Sequence, residues 1–138
     1  GCELILTAGG RNDGVFLLNT TFTSNLLHVN GFADEVYSRG AAVQIRVDNG
    51  ATLRLRCEDS AFTTNWALST KSSVGPASGA LTVWVDQARP AVVSVARSLF
   101  VGNVVLVFSR ASNSAGSALQ LGGNVGAALL HVRDCVFR

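Results

Sequence analysis

The chain has no methionine, one lysine (Lys71) and two prolines, and only 14% of its 138 residues are charged, which leaves little material for charge-based chemistry. Its other basic side chains are arginines. Few flexible ammonium groups therefore stand ready for proton transfer or phosphate capture, which weighs against an enzyme. Eleven Lys and Arg against nine Asp and Glu give a formal charge of +2, and the charges are scattered singly. No basic stripe marks a nucleic-acid groove, and no acidic run marks a metal-buffering tail. The three cysteines, Cys2, Cys57 and Cys135, have no C-x-x-C spacing and an odd count, so neither a zinc site nor a closed disulfide framework follows and buried thiols are expected. Lys, Glu and Gln are scarce, and no stretch repeats apolar residues every 3.6 positions, so amphipathic helices are not expected. With neither an initiator methionine nor a basic-then-apolar leader at Gly1-Cys2-Glu3-Leu4, the chain reads as a piece of a longer one.

What is present is 48% hydrophobic, enough for the core of one domain, and it is organised by repetition. The unit F-x-x-N stands at Phe22 to Asn25, at Phe62 to Asn65 and at Phe100 to Asn103, and Phe137-Arg138 opens a fourth. The spacings are 62−22=40, 100−62=38 and 137−100=37 residues, in the range of solenoids, propellers and arrays. The expected organisation is a partial repeat over 1–13, complete repeats over 14–50, 51–90 and 91–126, and a partial repeat over 127–138.

Counted backwards from each phenylalanine, the repeats align without gaps. Seven residues before it stand Val15, Leu55, Val93 and Leu130, and five before stand Leu17, Cys57, Val95 and Val132. Between them lie Phe16, Arg56, Ser94 and His131. An apolar row alternating with a variable one is a strand with one buried face. Asn19, Asp59, Arg97 and Asp134 then precede the small residues Thr20, Ser60, Ser98 and Cys135. A turn is expected there, with its polar side chain outward and its small one tucked in. Further apolar strands follow at 26–29, 66–68 and 104–108, and closing strands at 42–50, 80–90 and 118–126 lead into turn residues.

Three short strands and one longer loop per period predict an all-β chain folded as a right-handed parallel β-helix of about three coils. Each strand would pair with its equivalent one coil on, at about 4.8 Å, so that like stacks on like. Phe22, Phe62, Phe100 and Phe137 would form an internal aromatic stack. Asn25, Asn65 and Asn103 would form an amide ladder along a bend whose backbone angles Asn tolerates. An antiparallel sandwich with a hairpin at Asn49-Gly50 is the alternative, but it gives no reason for F-x-x-N to recur. The apolar stretch 91–108 raises the question of a membrane span; Arg97 and Asn103 in its middle, and its match to other repeats, argue against one. Apolar strands at both ends, without capping helices or runs of edge-blunting Lys or Pro, predict end-to-end association.

The F-x-x-N units, the small residues before them and the closing segments Gly40-Ala41-Ala42-Val43, Gly79-Ala80-Leu81 and Gly116-Ser117-Ala118-Leu119 resemble the repeats of chlamydial polymorphic outer-membrane proteins. A full G-G-A-I is absent. The Val- and Ala-rich wording of 92–108 and 119–138 resembles more closely the trypanosomal dispersed gene family surface proteins. These resemblances imply a pectin-lyase-like β-helix in a large cell-surface protein, held at the membrane by an anchor elsewhere in the parent chain. They imply adhesion or a stalk role, with host-cell proteins or glycans on the exposed faces and neighbouring coils of the parent chain as contacts. No nucleic acid, cofactor or metal is expected.

Pectate lyases share the predicted scaffold, so an enzyme of that kind, with its active site on coils outside this chain, is the alternative. Trp84-Val85-Asp86-Gln87 resembles the lyase W-[IV]-D-H, but Gln87 replaces the histidine, and Ala88 and Val93 stand where R-x-P-x-x-R requires arginines. The adjacent acids Glu58-Asp59 and Asp34-Glu35 would face opposite ways on a strand and read as solvated charges. His28 and His131 lack a metal-binding context, and Ser78 lacks the offsets of a nucleophile elbow. Gly122 to Gly126 lacks a phosphate-loop lysine and reads as a tight corner. Asn19-Thr20-Thr21 is an N-glycosylation sequon, which makes Asn19, on the outward side of its turn, a candidate glycan site in a secreted protein.

Overall fold

The computed structural model describes residues 2–6, 14–29, 39–47, 52–69, 77–85, 90–107, 118–123 and 128–138, which form strands and no helix. The strands are, in chain order, β1 (Cys2–Leu6), then β2 (Val15–Leu18), β3 (Thr21–Thr23), β4 (Leu26–Val29), β5 (Arg39–Gly40) and β6 (Val43–Val47). The next repeat gives β7 (Leu53–Glu58), β8 (Ala61–Thr63), β9 (Trp66–Ser69), β10 (Ala77–Ser78) and β11 (Leu81–Val85). After it come β12 (Ala91–Ala96), β13 (Leu99–Val101), β14 (Val104–Val107) and β15 (Leu119–Gly123), then β16 (Ala128–Arg133) and β17 (Val136–Phe137).

Alternation decides which face of each strand is buried. In β7, Leu53, Leu55 and Cys57 are buried while Arg54 and Arg56 are exposed, and β12 repeats this with Ala91, Val93 and Val95 inside. Every pairing is parallel and joins equivalent strands of successive repeats. The sheet orders are β1-β6-β11-β15, β16-β12-β7-β2, β17-β13-β8-β3 and β14-β9-β4, with a short β10-β5 pair. Among the described residues no two strands are antiparallel, which removes the sandwich there; Asn49-Gly50 lies outside them.

The core is one cluster in which the inward rows meet: Val43, Ile45 and Val47, then Leu55 and Cys57, Phe62, Val83 and Val85, Val93 and Val95, and Phe100. Leu, Val and Ile on a parallel strand buried against facing sheets contribute roughly 1.5–3 kcal/mol each on full burial. A smaller cluster joins Ala41 and Ala67 to Leu27 and Val105. The apolar stretch 91–107 is divided among β12, β13 and β14, in three different sheets. Among the described residues no helix is long and apolar enough to cross a membrane.

Three expectations are corrected. Each complete repeat has four strands of three to six residues rather than three, because the F-x-x segment, expected as part of a bend, is itself a short strand: β3, β8 and β13. A two-residue strand is added in the first two complete repeats. The unusual backbone angles fall not on the asparagines but on the residues before them, Ser24 (φ 53°), Thr64 (φ 53°) and Gly102 (φ 61°). Left-handed backbone there turns the chain while the asparagine keeps an angle that lets its amide reach along the stack. Finally, Gly122 and Gly123 are not a corner: β15 runs through both, paired with Trp84 and Val85, and residues 124–126 lie outside the described set.

Candidate functional site

Stacking at one strand spacing brings the sequence-singled residues into columns. The Phe22 and Phe62 rings are 5.1 Å apart between centroids, Phe62 and Phe100 4.8 Å, and Phe100 and Phe137 4.9 Å, with planes within 15° of parallel. Register alone sets this separation, since Phe22, Phe62, Phe100 and Phe137 are direct backbone partners. Beside the rings runs the amide column. Asn25 Nδ2 donates to Asn65 Oδ1 (2.9 Å), and Asn65 Nδ2 donates to Asn103 Oδ1 (2.8 Å). The backbone amides of Asn25 and Asn65 donate to the same oxygens, at 3.1 and 3.2 Å. Asn65 Nδ2 also donates to the Phe22 carbonyl (3.1 Å) and Asn103 Nδ2 to that of Phe62 (2.8 Å). Asn65 is fully buried with all four of its amide hydrogen-bonding sites used.

A second polar column turns the preceding corner. Asn19, Asp59, Arg97 and Asp134 have φ of 49°, 51°, 47° and 53°. The small residue that follows closes each corner on the carbonyl two positions back: Thr20 on Leu18 (3.0 Å), Ser60 on Glu58 (2.9 Å), Ser98 on Ala96 (2.8 Å) and the Cys135 thiol on Arg133 (3.2 Å). Thr20 N donates to Ser60 Oγ and Ser60 N to Ser98 Oγ, so the corners are tied to one another. Cys57 and Cys135 are free thiols, the first buried; burial pushes its thiol up from the ordinary range, which makes it inert. The Cys2 side chain lies outside the described set. Asn19 is exposed at its corner, where a glycan would meet solvent.

Glu58 and Asp59 do not face opposite ways as solvated charges. Asp59 stands past the end of β7 at a left-handed corner, so both carboxylates reach Arg97. Asp59 takes two hydrogen bonds from it, both 2.7 Å, and Glu58 takes one from Arg97 (3.0 Å) and two from Arg56 (2.6 and 2.9 Å). The Arg56 hydrogen bonds hold the buried Glu58 carboxyl below its usual range, and those of Arg97 do the same for Asp59. Both arginines are correspondingly pushed up, Arg97 mainly by Asp59 and Arg56 by Glu58. The clamp was readable in principle, since the alignment sets Asp59 and Arg97, of opposite charge, in one row. Because both folded-state carboxyl pKa values are depressed, their stabilisation is complete above the unfolded values near 4 and is lost as pH falls through the folded ones. Melting temperature followed from pH 7 to pH 2 is expected to drop in that acid window, and Arg97→Gln to start lower at neutral pH and drop less. An equal acid drop in the variant would contradict the clamp.

Another surface was not visible from the motif. β4, β9 and β14 turn Leu27, Ala67 and Val105 inward, so their outer rows are Leu26, Trp66 and Val104, and Leu68 and Leu106. Leu26 is 69% exposed, Trp66 46% and Leu106 38%; Leu26 and Trp66 are direct partners, and Leu106 stands on the neighbouring strand two residues past Val104, the other partner of Trp66. The signal in the sequence was the absence of polar alternation in Val104 to Val107.

The other candidates remain apart. His131 and Ser94 share an outer row with Arg56 and Phe16, without acids that would make a general acid and base pair. Asp34, Glu35, Asp86, Gln87, Ala88 and Arg89, and the side chains of His28 and Ser78, lie outside the described set. Among the described residues no three His, Cys, Asp or Glu side chains are grouped to hold a metal ion. No family model matches the chain, nor does any curated protein or solved structure.

Proposed function

We propose that the chain is a segment of a right-handed parallel β-helix in a large cell-surface or secreted protein, acting without catalysis as a rigid adhesive or stalk element. Parallel crossover connections within one sheet are right-handed in about 98% of cases, which supports the handedness. The in-register columns of Phe, Asn and hydroxyl side chains support rigidity, because every repeat braces its neighbours. The resemblance to trypanosomal dispersed gene family and chlamydial surface proteins points to the same class of role, with Asn19 as a glycan attachment site. The observation that carries adhesion is the exposure of Leu26, Trp66 and Leu106 on the outer face of three paired strands. An exposed indole flanked by aliphatic side chains fits a protein partner on another cell.

Trp66→Ala should weaken binding of the chain to intact cells by roughly thirtyfold or more, as aromatic hot spots contribute about 2 kcal/mol or more. Its melting temperature should change little. Protease treatment of the cells should abolish binding as well. Binding indifferent to Trp66→Ala would sink this face as the adhesive one, and loss on glycosidase treatment alone would replace the protein partner with a glycan.

A further inference from the structure

The sheet β1-β6-β11-β15 is buried on both faces of its inner strands. Val43, Ile45 and Val47 of β6 and Leu81, Val83 and Val85 of β11 belong to the core, yet Gln44 and Thr82, on the opposite face, are only 5% and 0% exposed. Register sets Gln44, Thr82 and Gln120 side by side in one row, each one strand spacing from the next. The row differs from the asparagine column in one respect. Asn25, Asn65 and Asn103 repeat a single amide, so each head bonds the next, whereas here a threonine stands between two glutamines and its side chain stops short of an amide head. Thr82 Oγ1 and Gln120 Oε1 are both buried, and neither has a hydrogen-bond partner among the described residues, so they do not bond each other. β11 is paired on both edges, with β6 and β15, which makes the buried Thr82 hydroxyl a feature of the interior of the stack.

We infer that one internal water molecule binds between Thr82 and Gln120 and completes this row in place of the missing amide. Strand pairing holds equivalent atoms about 4.8 Å apart, which is too far for a direct hydrogen bond and is the span of two hydrogen bonds that meet at one water oxygen. The groups fix how the water is held. Gln120 Oε1 can only accept, so the water donates one hydrogen to it, and the Thr82 hydroxyl donates to the water oxygen. The second water hydrogen goes to the amide oxygen of Gln44, on the other side of Thr82 in the same row. Three polar partners are the usual number for an interior water. Two buried oxygens left unpaired would cost more than ordering one water does, which favours the bridge. Gln44, Thr82 and Gln120 are all uncharged, so they select a neutral ligand over a metal cation. The acid of the row, Glu3, is paired with Gln44, two spacings from Thr82.

This site rests on the pairing of β6, β11 and β15 and is independent of the adhesive role proposed above. It is tested by NMR of the 138-residue chain and by thermal melts of two variants. A long-lived interior water gives cross-peaks of opposite sign in laboratory-frame and rotating-frame spectra, and these are expected between water and the side-chain amide protons of Gln120. Thr82→Ser keeps the hydroxyl and should keep the cross-peaks. Thr82→Val, of the same shape, should lose them and melt roughly 3–5 °C lower, the shift that goes with losing one hydrogen-bonded bridge in a domain of this size. The sign of that shift separates the two cases. Were the hydroxyl unbridged, its removal would leave the melting temperature unchanged or raise it, and that result would overturn the proposal. So would a wild-type chain without the cross-peaks. A melting temperature that rises with calcium chloride at fixed ionic strength in the wild type, but not in Thr82→Val, would put a cation there and overturn the water. A chain without ordered β-structure would overturn the strand pairing and the site with it.

Discussion

Replacing Asn65 by alanine is expected to lower stability by about 3 kcal/mol or more, a large loss for a polar residue, because buried groups left unpaired cost roughly 1–3 kcal/mol each. The change strands several at once. The Asn25 backbone amide and Nδ2 lose their acceptor, and the Phe22 carbonyl and Asn103 Oδ1 lose a donor. Asn25→Ala should cost less, since Asn25 is half-buried at the end of the column and solvent can replace what it loses. Asn65→Asp separates the two roles of the amide. It keeps an acceptor for Asn25 but turns a carboxylate oxygen toward the Phe22 carbonyl and Asn103 Oδ1. Its stability should therefore recover in part on acidification, when the carboxyl becomes a donor. Guanidinium melts of the three variants at two pH values check this, and equal losses for Asn25→Ala and Asn65→Ala would contradict the column.

Phe62→Ala is expected to cost roughly 3–5 kcal/mol, as core Phe truncations do, with the loss of two stacked neighbours placing it toward the upper end. Phe62 is 0% exposed between the rings of Phe22 and Phe100, whereas Phe16 is 58% exposed on the outward face of β2. Phe16→Ala should stay within about 0.5 kcal/mol. Both remove the same atoms, so denaturant melts compare burial alone. Equal losses would mean that the register is displaced by one residue.

F-x-x-N was legible because stacking like on like selects the same side chain at the same position in every repeat. A stacked ring wants a ring beside it, and a buried amide is best satisfied by another amide one spacing away. The row of Leu55, Val93 and Leu130 was legible through its alternation with Arg56, Ser94 and His131, which only a one-sided strand requires. The left-handed angles of Ser24 and Thr64 were not, because neither residue type announces that conformation; Gly102 alone gives it away. Glu58 and Asp59 were misread since strand alternation was carried one residue too far, past the point where the corner rotates Asp59 toward Arg97. The surface around Trp66 was hidden for a different reason. A three-residue inward row of Leu27, Ala67 and Val105 looks the same as its outward neighbours when both are apolar, and only packing tells them apart.

Through-space proton contacts measured by NMR on the isotopically labelled chain test the parallel stacking most directly. Parallel in-register repeats require backbone contacts at a constant sequence offset: 93−55=38 for Leu55 and Val93, 95−57=38 for Cys57 and Val95, and 100−62=38 for Phe62 and Phe100. The same offset should recur for Ile45 and Val83, at 83−45=38, in a different sheet. Contacts in which one residue number rises as the other falls, the pattern of antiparallel strands, would contradict the stack and every column built on it.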